Sequence, residues 1–395
     1  MTVSARVSEL AEQIRGVSYG KEDASTTPRL GYLPVLRAGN ISDDGLIFDD
    51  LVFVPAVRIA DKQKIRCNDV VIAASSGSLD VVGKAARALD DYEGGFGAFC
   101  KVLRPNPDVN PSYFAHFFRT QEYRQKVSAL AAGLNINNLR NEHLDNLTIP
   151  LPPPPEQRRI AEILDKADAL CANHRAALAQ LDILAKSTFF DMFGDPIKNP
   201  RRYPVQKIVD LVDPLRPITY GILKPGPNQD DGIKYVRVVD MREGGIDLRA
   251  IRKTSLTISE AYRRSLLLPG DLLMSIRGHV GRLAIVPNEL DRANITQDTA
   301  RLALKGTHPV FVRECLRTPG FQQWMAKHTK GVAVRGINLG DVKLMPIIQP
   351  PIEQQRLFVR LSTQWESVRQ ERFKSLMKCE TLFRSLQYLA FRGEL

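Results

Sequence analysis

Leu151-Pro-Pro-Pro-Pro-Glu-Gln-Arg-Arg-Ile160 opens the stretch whose reading decides the fold. Four consecutive prolines cannot lie inside a helix, but the last can occupy a first turn, where its missing N–H costs nothing. Glu156 then falls in that turn, where a carboxylate suits the helix dipole. From Ile160 the apolar spacing is helical. Ile160, Leu164, Ala167, Cys171, His174, Leu178, Leu181, Ala185, Thr188 and Met192 step by three and four, as in a coiled-coil seam. Gly194-Asp195-Pro196 stops the pattern. At about 1.5 Å per residue the predicted helix is on the order of 50 Å long.

The stretch recurs. Gln349-Pro-Pro-Ile-Glu-Gln-Gln-Arg-Leu357 opens a second helical segment, with Glu353 following Glu156 by 197 residues. Working upstream, Asp271 follows Asp69 by 202, Gly281 follows Gly83 by 198, and Arg317 follows Arg119 by 198. Gly331 follows Gly133 by 198, and Tyr220-Gly221 follows Tyr19-Gly20 by 201. Tyr235–Val239 reads as a strand like Pro34–Ala38, and Gly244–Ile246 stands near the place of Gly45-Leu46. An ordered series of near-equal intervals is a tandem duplication of a globular unit followed by a long helix. The boundaries are 1–152, a helix over 153–193, 194–350, and a helix over 351–395. The fold class is α+β, with two tandem mixed α/β domains separated by two long antiparallel coiled-coil helices in a pseudo-two-fold arrangement. Two heads about one helix length apart exceed one turn of DNA, 34–36 Å, and suit a split duplex target.

Smaller elements follow from local pattern. Val7, Leu10, Ala11 and Ile14 predict a short N-terminal helix, Tyr32–Arg37 a strand, and Phe114–Leu130 helix. In the second long helix the apolar positions are Phe358, Leu361, Trp365 and Val368, then Leu376, Cys379, Leu382, Phe383, Leu386 and Leu389. The later group is expected to close against Val7–Ile14.

Composition excludes several classes. A hydrophobic share of 44% suits a globular chain, and no apolar run reaches the ~18 residues of a membrane span. The first twenty residues lack a signal-peptide core, so a cytoplasmic location is expected. Cysteines 67, 100, 171, 315 and 379 form no CxxC pair and read as reduced thiols. The six histidines show no metal-ligand spacing. There is no Walker A sequence and no Asn/Asp-Pro-Pro-aromatic loop of an adenine methyltransferase; Asp195-Pro-Ile and Asp213-Pro-Leu fall short of it. Gly94-Gly-Phe-Gly97 reads as turn chemistry. The net charge of +11 favours a polyanionic partner, most often nucleic acid.

These features resemble the specificity subunit of Type I restriction–modification systems. The resemblance rests on Leu151–Gln157, on Phe189-Phe-Asp-Met-Phe-Gly-Asp-Pro196, and on Ser385-Leu-Gln-Tyr-Leu-Ala-Phe-Arg-Gly-Glu-Leu395. In the second unit it rests on Gly270–Gly278, Gly281–Ala284, Ile295-Thr-Gln297 and Gly331–Leu339. The first unit departs from the pattern, with Ala74-Ser-Ser-Gly-Ser78 where the second has Ser275-Ile-Arg-Gly278. The resemblance implies two target recognition domains, each reading one half of a bipartite double-stranded DNA site. It implies helices that dock two modification subunits, which carry S-adenosylmethionine and methylate adenine. Restriction subunits, with ATP and Mg, are an optional further partner. The chain itself would hold no cofactor, no metal and no catalytic residue.

Candidate DNA contacts are basic and amide side chains in predicted loops, since Arg and Lys hold phosphates or read guanine while Asn and Gln suit adenine. In the second unit they are Arg277, Arg282, Gln297, Lys330, Arg335 and Asn338; in the first, Ser76, Lys84, Asn135, Asn137, Asn138 and Arg140. For Tyr19 and Tyr220 packing is the simpler role. Two rival readings are a coiled-coil scaffold whose globular units bind proteins, and an enzyme with an unrecognised site. Charge and loop composition favour DNA over the scaffold.

Overall fold

A computed structural model describes residues 3–78, 80–131, 137–242, 245–331 and 335–395. The chain is mixed α/β and divides into two compact units, 1–178 with 371–395, and 179–370.

Unit 1 is built on an antiparallel four-stranded sheet in the order Ala11–Arg15, Cys100–Pro105, Val70–Ala73, Ala85–Arg87. Beside it lies a three-stranded sheet, Gly95–Phe96, Tyr32–Leu36 and Val52–Pro55, whose first pair is parallel. Unit 2 repeats both. Its four-stranded sheet runs Thr219–Tyr220, Thr299–Leu302, Leu272–Ser275, Leu283–Ile285, and its three-stranded sheet Asn294–Ile295, Ile233–Val236, Arg252–Thr254. The predicted N-terminal helix shrinks to one turn, Val7–Leu10, because Ala11–Arg15 pairs along its whole length with Cys100–Pro105 as a strand.

Hydrogen bonds fix the repeat residue by residue. The buried carboxylates Asp69 and Asp271 each accept a backbone N–H at 2.8 Å, from Arg66 and Leu268. Each also takes a two-pronged guanidinium, supplied by Arg104 from a strand in unit 1 and by Arg216 from a loop in unit 2. Gly83 and Gly281 both adopt positive φ, and a Cβ at Gly83 would lie 2.4 Å from Val127. Two intervals need correction. Arg15 pairs with Lys101 as Tyr220 pairs with Ala300, so Tyr220 corresponds to Arg15 and not to Tyr19. Val35 opposes Gly95 as Tyr235 opposes Asn294, one residue from the expected strand register. Gly133 lies outside the described residues.

The long helices are Pro154–Phe193 and Ile352–Ala390. Their starts and their latches set the interval at 198, one more than the Glu156–Glu353 match. Gln157, 2% exposed, accepts the N–H of Asn110 at 2.9 Å and donates to the carbonyl of Pro152 at 2.9 Å. Gln355, also 2% exposed, accepts from His308 N at 3.0 Å and donates to Pro350 at 3.0 Å. Every predicted seam residue of the first helix is buried or half-buried. In the second helix Val368 and Leu382 are instead exposed, and Arg369 and Phe383 take the inward positions. Partners run in opposite directions within each unit. In unit 1, Cys171 meets Cys379, while Ile160 and Leu164 share a core with Ala390. In unit 2, Asp182 meets Arg369, and Phe189 meets Phe358.

The reduced-thiol expectation is corrected for one pair. Cys171 and Cys379 form a disulfide with a Cα–Cα distance of 5.7 Å. Two helix faces, not a sequence motif, bring together cysteines 208 positions apart. Cys67 is exposed, and Cys100 and Cys315 are buried thiols. The C-terminal segment, expected to close against Val7–Ile14, shares a core with Val7, Leu10 and Ala11, and its ring contacts are to Tyr113 and Phe117, which meet Phe391 tilted and edge-on at 5.1 and 5.5 Å.

Two predictions follow from these contacts. Gln157→Ala or Gln355→Ala leaves buried backbone groups unpaired and should lower stability by about 1–3 kcal/mol each in urea titrations. The second concerns Asp165, which accepts from Ser112 Oγ at 2.6 Å and contacts His116 Nε2 at 2.8 Å. Burial pushes its carboxyl up, but these two hydrogen bonds together with the nearby charges of His116 and Arg87 hold the group below its ordinary 3.8. A depressed carboxyl stabilises the fold above the unfolded value, and the contribution is lost as pH falls through the folded one. Asp165→Asn should therefore flatten the acid side of the stability curve, read as urea midpoints from about pH 5 to about pH 2.

Candidate nucleic-acid interface

In unit 2 the central strand Leu272–Ser275 runs on into a loop. Arg277 is bridged to Gly336, and Gly336 is bridged in turn to Lys330. Gly278 N donates to Arg335 O at 3.0 Å. Three neighbouring backbone segments thus carry Arg277, Lys330 and Arg335, all exposed. Among the described residues none of the three has a carboxylate partner, so their charge is free for an anion. The other predicted contacts in this unit are less available. Arg282 is half-buried, and its guanidinium points toward the carbonyls of Val238 and Met241 at 3.4 and 3.5 Å. Asn338 caps the helix Leu339–Lys343, accepting from Asp341 N at 2.8 Å and donating to Asp341 Oδ2 at 2.6 Å. Gln297 is half-buried in a turn, with its N–H on Ile222 O at 2.9 Å.

Unit 1 has the same loop geometry with different chemistry. Ser75-Ser76 pairs with Asn137-Asn138, joining Ser76 to Asn137 and Ser75 to Asn138. Leu139 N donates to Ala74 O at 2.8 Å as Ile337 N donates to Ile276 O at 2.9 Å. That register makes Ser75, not Ser76, the counterpart of Arg277. Lys84 is half-buried and lies 3.7 Å from Asp43, while Arg140 is exposed and bonded to Glu142 at 2.9 Å. Asn135 lies outside the described residues. Polar uncharged groups dominate the loops of unit 1, whereas guanidinium and ammonium groups dominate those of unit 2. Sequence reading pooled the candidates by type. The loop pairings that sort them depend on contacts between segments about 60 residues apart, which leave no local signal.

Among the described residues no group of three or more His, Cys, Asp or Glu is placed to hold a metal ion. No helix among them is long and apolar enough to cross a membrane.

Residues 20–182 match the family model described as the Type I restriction modification DNA specificity domain. The EcoKI type I restriction enzyme specificity subunit of Escherichia coli K12 is 32% identical over 422 residues, spanning 100% of this chain and 89% of the relative. The StySPI specificity subunit of Salmonella potsdam is 29% identical, spanning 99% and 89%. Among solved structures, a Type-I restriction-modification system S subunit from M. genitalium has a TM-score of 0.56 at 15% identity, over 99% of this chain and 96% of that one. It therefore shares this fold. The chain belongs to the family of type I restriction enzyme specificity subunits.

Substituting the three exposed cations tests whether they hold phosphates, through the salt dependence of binding. For Arg277→Ala/Lys330→Ala/Arg335→Ala, the slope of log K against log salt should shrink by about 0.9 per lost contact, nearly 3 in all, in fluorescence titrations with duplex DNA.

Proposed function

We propose that this chain is the non-catalytic DNA-recognition subunit of a type I restriction–modification complex, with each unit reading one half of a bipartite duplex site. The observation that carries the reading is the exposed, uncompensated trio Arg277, Lys330 and Arg335 on paired loops, at the place where unit 1 pairs Ser75-Ser76 with Asn137-Asn138. Cationic side chains on adjacent segments suit phosphates and guanine edges, and amides suit adenine. The net charge of +11 adds the electrostatic attraction that DNA binding requires.

In this reading residues 1–152 and 194–350 are the two target recognition domains. The helices over 153–193 and 351–395 are an antiparallel coiled-coil spacer. Exposed apolar residues on the helices, Leu170, Ile183 and Leu184 on one and Leu357, Phe373 and Met377 on the other, are where two modification subunits would dock. S-adenosylmethionine belongs to those subunits, ATP and Mg to restriction subunits when these join, and the assembly works in the cytoplasm. All twelve candidate contacts remain part of the proposal, with Arg277, Lys330 and Arg335 foremost and Asn338 and Arg282 in supporting places.

Co-expression with a type I modification subunit, followed by methylome sequencing, tests the reading. A motif of two short blocks around a fixed spacer, with adenine methylated in each, is the expected outcome. Replacing residues 1–152 with those of a relative should change one block only. Methylation at a continuous site, or methylation independent of this chain, would sink the proposal and favour a protein-binding scaffold.

A further inference from the structure

In each unit one tight turn links the parallel strand to the central antiparallel strand. Cys100 N donates to Gly97 O at 2.8 Å, and Thr299 N donates to Thr296 O at 3.2 Å. The third residue of the turn is Phe99 in unit 1 and Asp298 in unit 2. Their equivalence is set by hydrogen bonds. Phe99 O accepts from Ala74 N at 2.8 Å, and Asp298 O accepts from Ile276 N at 2.8 Å. Ala74 and Ile276 are the residues whose carbonyls take the N–H groups of Leu139 and Ile337. Each turn is therefore bonded to the strand that continues into the candidate DNA-contact loop.

The two turns present opposite chemistry at one position. Phe99 is 65% exposed, more than any other aromatic ring among the described residues. Its carbonyl also accepts from Ser75 N at 3.0 Å, so the backbone beneath the ring is held in place. A large apolar side chain held in water on a turn bonded to Ser75 adds nothing to the core of unit 1. Asp298 is half-buried next to Gln297, and its carboxylate has no ion pair among the described residues. Most apolar contacts to base edges in the major groove are to the thymine methyl, and carboxylates accept from the exocyclic amine of cytosine.

We infer that Phe99 and Asp298 are paired specificity-determining residues, with the Phe99 ring packing on a thymine C5-methyl in the half-site of unit 1 and Asp298 accepting from a cytosine amine in that of unit 2. The inference rests on the DNA-recognition reading above. It separates the two heads by a single side chain on a shared backbone.

The test uses the chain co-expressed with its modification subunit. Methylomes are read for the unsubstituted chain, Phe99→Ala, Phe99→Leu and Asp298→Asn. Phe99→Ala should relax one thymine position in the block of unit 1, bringing altered sites within about tenfold of the intact site, and Phe99→Leu should restore much of the preference. Asp298→Asn should relax one cytosine position in the other block alone. With the purified unsubstituted complex, replacing that thymine by uracil removes only the methyl and should weaken binding several-fold. The uracil probe needs no variant to fold. A split motif left unchanged by both Phe99→Ala and Asp298→Asn, or no uracil effect anywhere in the block of unit 1, overturns this inference and leaves the two-headed reading intact. Absence of any split motif with the unsubstituted chain removes that reading itself.

Discussion

A helix with apolar residues along one face has to bury that face, and the rest of this structure depends on how the two long helices do so. In unit 1 the stripe from Ile160 to Leu164 enters the core formed by Tyr113, Phe114 and Phe117, and the end of the second helix enters the same core through Ala390 and Phe391. In unit 2 Phe189, Phe193 and Phe358 do the equivalent against Phe311. Each helix start is also tied to its own unit by a buried glutamine that accepts from a backbone N–H and donates to a backbone carbonyl. Such a group is costly to leave half-satisfied, so the latch fixes where the helix begins as well as that it begins.

The internal repeat explains how two units so alike can differ in surface chemistry. Backbone hydrogen bonds hold the loop geometry, and they are indifferent to side chains. Ala74 and Ile276 make the same contacts, as do Leu139 and Ile337. Side chains on these shared bonds are then free to vary, giving Ser75 against Arg277 and Phe99 against Asp298. One unit presents hydroxyls, amides and a ring, and the other presents cations and a carboxylate. The same freedom shows inside the fold. Position 383 in unit 1 corresponds to position 185 in unit 2 by the helix interval. Phe383 lies 5.9 Å from the His116 ring, whereas Ala185 borders a cavity of about 220 Å³ beside Arg313 and Trp365.

Much of this was legible from the sequence because it is local or periodic. The run of prolines, the three-and-four spacing from Ile160 to Met192 and the recurrence of Pro-Pro before Glu-Gln are signals within short windows. They determined the tandem arrangement, the two long helices and the class of partner favoured by charge. Errors came where a local pattern competed with a distant contact. Val7 to Ile14 has helical spacing, yet pairing with Cys100–Pro105 draws Ala11–Arg15 into the sheet. Tyr19 and Tyr220 match in type, yet strand register aligns Tyr220 with Arg15.

The tertiary structure alone decided three things. It brought Cys171 to Cys379, since a disulfide requires two helix faces to meet and no spacing rule spans 208 residues. It separated the polar candidates by engagement, placing Asn338 in a helix cap and leaving Arg277, Lys330 and Arg335 exposed, because hydrogen-bond competition is settled only once the chain has folded. And it bonded the Phe99 turn to Ser75, where the strand runs on into the loop. By itself the sequence determined which groups are available and how often they repeat. Which of them face solvent together depends on strand register, and register is fixed by pairing between segments far apart in the chain.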